Sequence, residues 1–484
     1  MDCHLAYHGL VWGLMALVCA TAAARPEALP RLRVSGNKRF LVTEDGRPFF
    51  WLGDTGWWIR RLRPLEVDHY LSTRASQAFT VIQVSPAYGG PAAQDYAGNP
   101  AFVKGDSDAP HETFWRNIDS IVDKAAAHGL YIVLFPLWGQ DFQTLFGADA
   151  EKAHRFGLWL GKRYATRTNV LWAVSGEYDA INGYRLPITE DERRVLEAMA
   201  RGLEAGHANS QLMTVHPGVA RTSSLDFHAQ EWLDLNMLQS GHMADAAAHG
   251  MRENHALIAH DYQLSPTKPV MDGEPMYEDT PGAIWIERDV TRPRADAEVV
   301  RRKAYWAVFA GACGHTYGHN DIYGFFVPDR PGHVVSLPEG PGQRGHWREA
   351  LTAPGGVQMR YLRALMESRP FLSRIPDQSL IASPELLEAG PRHGQATRDA
   401  DGSYALVYLP MASQTVSVDT SKLSGERLRA WWYDPRTGRA DPIRGELRVG
   451  GLLQFTTRAE GPDWVLVLDD AARGYPAPGR GPRP

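Results

Sequence analysis

Two stretches of the chain place a glutamate behind a glycine where an apolar run stops: "WAVSGEYD" (Trp172–Asp179) and "KPVMDGEPMYE" (Lys268–Glu278). Paired carboxyl groups can cleave a glycosidic bond. The protonated one gives its proton to the leaving oxygen, and the ionised one attacks the anomeric carbon or activates a water. A separation of about 5–5.5 Å gives a covalent intermediate and retention, whereas ~6.5–9.5 Å admits water and gives inversion. Glu177 and Glu274 are therefore the candidate catalytic residues. The acid of the pair has to stay protonated near neutral pH, through an apolar setting or a neighbouring carboxylate. A single Gly-Glu after a strand is more often a cap or a solvated turn, so the chemistry depends on where the chain puts the two.

Short apolar runs recur at Phe49–Leu52, Thr80–Val84, Tyr131–Phe135, Val170–Val174, Leu212–Val215, Leu235–Leu238, Lys268–Met271 and Cys313–Tyr317. Between them, apolar residues spaced three and four apart predict helices over Leu65–Ser76, Glu112–His128, Ala150–Thr166, Glu190–His207, Met251–Leu264 and Ala295–Gly311, with a last one over Gly356–Ser368. The link between the fifth and sixth runs is less helical. Eight strands alternating with helices predict an α/β fold, a (β/α)8 TIM barrel over residues 31–370. No GxGxxG or P-loop follows a strand, so nucleotide-binding open sheets are disfavoured. Residues 376–470 alternate with period two between turn residues and predict a small antiparallel β-sandwich. The Pro/Gly-rich end, 471–484, reads as a disordered tail.

Barrel enzymes build their sites just past the C-terminal ends of the strands. Glu177 ends the fourth run and Glu274 the seventh, across the mouth from one another. The other strand ends offer Asp54, Trp57, Tyr88, Trp138, Gln140, His216, Gln239, His242, Asp272 and His315 as substrate-binding candidates. Flat rings suit sugar faces, and amides, imidazoles and carboxylates suit hydroxyls. Asp54 has a second reading, as a cap for a helix or turn starting near Trp57. Asp272 reads as a support for Glu274 ahead of a nucleophile, and Asp179 as surface or supporting.

His315 and His319 have i,i+4 spacing, but in "CGHTYGHND", which is not a clear helix, and HExxH is absent. No metal and no cofactor is expected. No G-x-S-x-G elbow points to a serine hydrolase. The net charge of −5 gives no general case for nucleic acid or anionic lipid. Leu10–Ala24 is apolar and ends in small residues, as a signal peptide (1–24) does, and is too short for a confident membrane span. Export to the periplasm or beyond is expected, and cleavage would leave Cys313 alone, without a disulfide.

The stretches "FFWLGDTGWW", "FTVIQVSPAYG", "WAVSGEYD", "HPGVARTSSLDFH", "WLDLNMLQSGH" and "KPVMDGEPMYE" closely resemble the apiosidase-like bacterial glycoside hydrolases. The stretch "AWWYDPRTGRA" is similar to the signature of the β-domain, labelled collagen-binding, that often follows them. The resemblance covers nearly all of residues 31–470. It implies a retaining barrel hydrolase acting on an oligo- or polysaccharide, with Glu274 as nucleophile and Glu177 as acid/base. It also implies release of a terminal sugar, apiose among the possibilities, from pectin side chains. The fourth-strand motif of the family often reads Gly-Gly followed by Asp or Glu, where this chain has Ser175-Gly176-Glu177. The competing expectation is a non-catalytic carbohydrate-binding or adhesion protein on a barrel scaffold.

Overall fold

The computed structural model describes residues 28–185, 187–328 and 342–481, and the expected signal peptide lies outside them. Eight parallel strands form a closed barrel: β1 (Trp51–Thr55), β2 (Val81–Val84), β3 (Tyr131–Leu134), β4 (Val170–Ala173), β5 (Met213–Thr214), β6 (Asn236–Gln239), β7 (Val270–Asp272) and β8 (Gly314–Tyr317). The last pairs with the first, Gly314 opposite Trp51 and Tyr317 opposite Asp54. Between β5 and β6 the ladder narrows to Asp234 N–H donating to Met213 O at 2.9 Å, with Met213 N–H on Asp234 Oδ2 at 2.8 Å. The expected rhythm of eight runs is thus a closed barrel, and the strand residues are buried throughout, as both faces of a covered parallel sheet must be.

The longer helices are α1 (Pro64–Ser76), α2 (Glu112–Ala127), α3 (Gly139–Leu145), α4 (Ala150–Tyr164), α5 (Glu190–His207), α6 (Asn254–Tyr262), α7 (Ala297–Phe309) and α8 (Pro354–Glu367). Each starts where its sequence permits. Thr189 and Glu192 form a reciprocal capping box on α5, and Asp296 caps α7. The helices flanking β4 touch through glycines: a Cβ on Gly161 would lie 2.4 Å from Leu203 O, and one on Gly202 2.2 Å from His154 O. That close approach of α4 and α5 pins the strand that delivers Glu177. As expected, β5 and β6 lack a full crossover helix. A four-residue helix (Ser224–Phe227) and a two-residue strand (Arg221–Thr222), antiparallel to β6, fill the link. A small antiparallel sheet (Leu32–Val34, Leu41–Thr43, Pro48–Phe49) precedes β1 and closes the opposite end, with Phe49 edge-on to Tyr131 at 5.1 Å.

The C-terminal unit is two antiparallel sheets around a separate apolar core that includes Leu409, Val418, Trp432, Phe455 and Trp464. Six strands, β9 (Arg374–Pro376), β10 (Gln395–Asp399), β11 (Tyr404–Leu409), β13 (Arg427–Tyr433), β14 (Ala440–Arg448) and β16 (Trp464–Asp470), face the pair β12 (Thr415–Asp419) and β15 (Leu452–Thr456). It is fastened to the barrel helices by buried contacts. Arg301 of α7 makes a two-pronged bond to Asp463 at 2.8 and 2.9 Å, Tyr305 stacks on Tyr408 at 5.0 Å, and Arg369 chelates Asp469 at 2.7 and 2.8 Å. Residues 471–481 correct the expectation of a disordered tail. The Tyr475 hydroxyl lies 3.0 Å from Ser403 Oγ, Arg369 covers its ring at 5.0 Å, and Gly479 N–H donates to Ser368 Oγ. The Pro/Gly composition had hidden one anchoring aromatic.

Arg369→Met should expose the strength of this junction. It leaves Asp469 buried without its partner, so unfolding in urea is expected to lose about 3–5 kcal/mol. Unchanged unfolding would mean the pair contributes nothing.

Candidate active site

The floor of the mouth is built by two interlocked loops. After β3, Trp138 leads into α3. After β4, Ser175-Gly176-Glu177 runs beside it, with Gly139 N–H on Gly176 O at 2.8 Å and Gly176 N–H on Leu137 O at 3.0 Å. The Trp138 indole lies flat against Gly176, where an added Cβ would sit 2.1 Å from the ring. Only glycine fits there. Glu177 then turns through a left-handed backbone conformation, φ 35° and ψ 62°, which costs a non-glycine residue about 1–3 kcal/mol and persists only where surroundings impose it. The carboxyl group emerges beside the Trp138 edge. Its Oε2 accepts from Trp138 Nε1 at 3.1 Å and from the Tyr184 hydroxyl.

Glu274 arrives from the other side. β7 ends at Asp272, Gly273 N–H bonds Leu238 O at 2.8 Å, and Gln83 Nε2 bonds Gly273 O at 2.7 Å. One imidazole bonds the carboxylate and a second stands beside it. His242 Nε2 lies 3.0 Å from Oε1 and His216 Nε2 lies 3.4 Å from Oε2. His216 also ties the two glutamates together, because its Nδ1 accepts the Glu177 backbone N–H at 3.3 Å. That bond places the ring proton on Nε2, facing Glu274.

The electrostatics separate the pair. Burial, and then the charge of Glu274, push the Glu177 carboxyl up to about 7, against the lowering by Tyr184, Trp138 and Gln239. Burial works to raise Glu274 as well, but the His242 hydrogen bond and charge and the Tyr277 hydrogen bond outweigh it and hold Glu274 below the ordinary glutamate value. Burial pulls His216 down to about 4, so it stands neutral. One carboxylic acid and one carboxylate at neutral pH is the division of labour that acid-assisted displacement requires.

The structure brings most of the expected residues to this floor. Trp57 packs edge-on to Trp138 at 5.1 Å and Tyr88 does so at 4.9 Å, while Trp57 reaches His216 at 6.2 Å. Gln239 is buried with Oε1 unpartnered, and its amide lowers the Glu177 value. Gln140 is exposed on α3 and reaches the Tyr88 hydroxyl.

Three expectations are corrected. Asp54 neither caps a helix nor faces the mouth. It is fully buried toward α1, with Arg74 Nε at 2.7 Å and Tyr70 OH at 2.6 Å. Asp272 turns to the helix side too, accepting from Ser240 Oγ at 2.7 Å and Asn254 Nδ2 at 3.2 Å, with burial pushing it up to about 6. By gripping Ser240 it holds the loop that carries His242, so it supports Glu274 indirectly and touches no ligand. His315 is the ladder partner of Asp272 and of Leu52, and its neighbour in alternation, Tyr317, reaches Glu278 at 2.6 Å and stands 5.5 Å from the Arg74 guanidinium. The imidazole is therefore on the buried, helix-facing side, where burial drops it to about 3. In each case strand alternation, with period two, decided the side.

Tyr184, Tyr277 and Tyr323 were missed. Tyr277 stands edge-on to the His242 ring at 4.4 Å and lowers Glu274, and Tyr323 lies 5.8 Å from it. Tyr277 was visible inside the quoted seventh-strand stretch, three residues past Glu274. Nothing local marked Tyr184. Among the described residues no group of three His, Cys, Asp or Glu side chains is arranged to hold a metal ion.

Two carboxyl groups at opposed strand ends of a (β/α)8 barrel are the arrangement that glycosidic cleavage uses. A family model described as "Apiosidase-like, catalytic domain" matches residues 35–373, and one named for a collagen-binding domain of a collagenase matches 375–469. The chain belongs to the apiosidase-like glycoside hydrolases. Among solved structures, one described as "Glycoside hydrolase" is 33% identical, with 92% of this chain and 97% of that one covered and a TM-score of 0.80. A glycoside hydrolase family 5 protein from Bacteroides vulgatus ATCC 8482 is also 33% identical, over 94% of this chain and 96% of its own, with a TM-score of 0.82. No curated protein matches the chain.

Two outcomes follow from the geometry. Gly176→Ala should drive the Trp138 ring and Glu177 apart; a displacement of about 1 Å costs ~100-fold in kcat, with circular dichroism unchanged. Because the acid must be protonated, kcat/KM should fall as pH rises through about 7, and the acidic limb should lie below the ordinary glutamate range. A profile flat from pH 5 to 9 would contradict the assignment of Glu177.

Proposed function

We propose that the protein is an exported, retaining, exo-acting glycosidase that removes a terminal sugar from pectin-type plant polysaccharide, with apiose the leading candidate. The observation that carries the reaction is the pair Glu177 and Glu274, linked through His216 and driven to opposite ionisation. Glu177 protonates the departing oxygen while Glu274 forms the bond to the anomeric carbon. Glu177, now ionised, then takes a proton from the water that releases the sugar.

The Glu274 charge raises the Glu177 carboxyl, so the two groups share one recess, and retention rests on the family match. It is further supported by the His242 bond that orients Glu274. Exo action is supported by the enclosure of the floor: Glu274, Trp57 and Trp138 are each 5% exposed. A terminal unit suits such a recess better than the middle of a chain. Apiose and pectin rest on the family match, and export rests on Leu10–Ala24.

Incubation with rhamnogalacturonan oligosaccharides and aryl glycosides should release a monosaccharide. The first-formed anomer, read by proton NMR, should match the anomer of the substrate. Glu274→Ala should abolish release, and Glu177→Ala should slow it by about 10²–10⁴. Full activity in either variant overturns the assignment, and release of internal fragments overturns exo action.

A further inference from the structure

The acid has two oxygens, and the structure distinguishes them. Oε2 of Glu177 is approached by two donors, Trp138 Nε1–H at 3.1 Å and the Tyr184 hydroxyl. Each carboxyl oxygen offers two lone-pair sites, so both on Oε2 are in use. Trp138 is expected in this position, since its ring is wedged against Gly176. Tyr184 is not. It is 53% exposed, beyond the end of the short helical turn Tyr178–Asn182, and its backbone is left-handed at φ 64°. An exposed tyrosine in that conformation is strained, and something has to hold it. The holding groups are specific. Tyr184 N–H donates to Asp179 O at 3.0 Å. The ring lies over Gly218, where an added Cβ would stand 3.1 Å from Tyr184 Cε1. Gly218 is itself tied to Asp179 Oδ1 at 2.7 Å, and Arg221 faces the other oxygen at 3.4 Å. Asp179, with no partner role in the reaction, thus clamps the segment that brings Tyr184 to the acid.

We infer that Tyr184 is a positioning residue for the proton donor: with Trp138 it occupies Oε2 of Glu177, so that the acidic proton sits on Oε1 and is delivered from there. The inference rests on the reading of Glu177 as the acid. In the step itself the Oε1–H bond breaks and its proton passes to the glycosidic oxygen. The bond from that oxygen to the anomeric carbon breaks, its electron pair staying with the oxygen, and a Glu274 oxygen supplies the pair for the new bond. Negative charge appears on Glu177 as this happens. Donors already aimed at Oε2 stabilise that charge without rearrangement. Glutamate also has one more rotatable bond than aspartate, and the two-donor clamp fixes it.

The test titrates the group directly and needs no substrate. In protein labelled with carbon-13 at glutamate Cδ, the resonance absent from Glu177→Gln belongs to Glu177. In the native protein it should titrate near 7. In Tyr184→Phe, which keeps the ring and removes one donor to the ionised form, its midpoint should rise by about 1. Trp138→Phe should move it the same way. Tyr184 is largely exposed, so thermal unfolding of Tyr184→Phe should match the native protein and separate a local effect from misfolding. A Tyr184→Phe midpoint equal to or below the native one overturns the inference. Full glycosidase activity in Glu177→Gln would instead overturn the assignment of the acid, whatever the Tyr184 titration gives.

Discussion

The contact of the Trp138 indole with Gly176 is the constraint on which the rest of the site depends. It admits no side chain at 176. It binds the loop after β3 to the loop after β4 edge to edge, and it drives Glu177 into a left-handed turn. The same indole then donates to the Glu177 carboxyl group. One ring therefore serves as wall, spacer and hydrogen-bond donor. Rigid placement of this kind is what keeps a reacting group within tolerance in a site built on loops.

The second organising element is His216, which lies between the glutamates and is too deeply buried to be charged at neutral pH. A neutral imidazole accepting from the Glu177 backbone and standing beside Glu274 ties the two loops together without adding a cation. Had it been charged, it would have stabilised the ionised form of Glu177 as well as that of Glu274, and the asymmetry between them would shrink. Burial does most of the work on Glu177, and local donors do it on Glu274. The same apolar floor thus supports opposite protonation states a few side chains apart.

Beyond the mouth, supporting groups reach outward in layers. Asp272 grips Ser240 and Asn254, and Asn254 also bonds Lys303 O at 2.8 Å on α7. That helix carries Arg301 and Tyr305, which fasten the β-sandwich. Trp306 Nε1 bonds His393 O across the same junction at 2.9 Å. The C-terminal unit thus braces the helix that backs the seventh strand.

The sequence by itself determined the barrel, the sandwich and the strand ends bearing Glu177 and Glu274. Those depend on apolar periodicity and turn residues, which are local and repeat eight times. It also marked the aromatic floor, because Trp57, Tyr88 and Trp138 directly follow strand runs. What only the tertiary structure decided was the side each polar group faces. Asp54, Asp272 and His315 sit one residue out of phase with the interior, and a period-two strand turns such a residue through the sheet to the helices. The pairing of Tyr184 with Glu177 was equally invisible, since it arises where Gly218 of another loop receives the ring. A strand end announces that a carboxylate is presented. Which oxygen keeps the proton is set by donors that arrive from elsewhere in the chain.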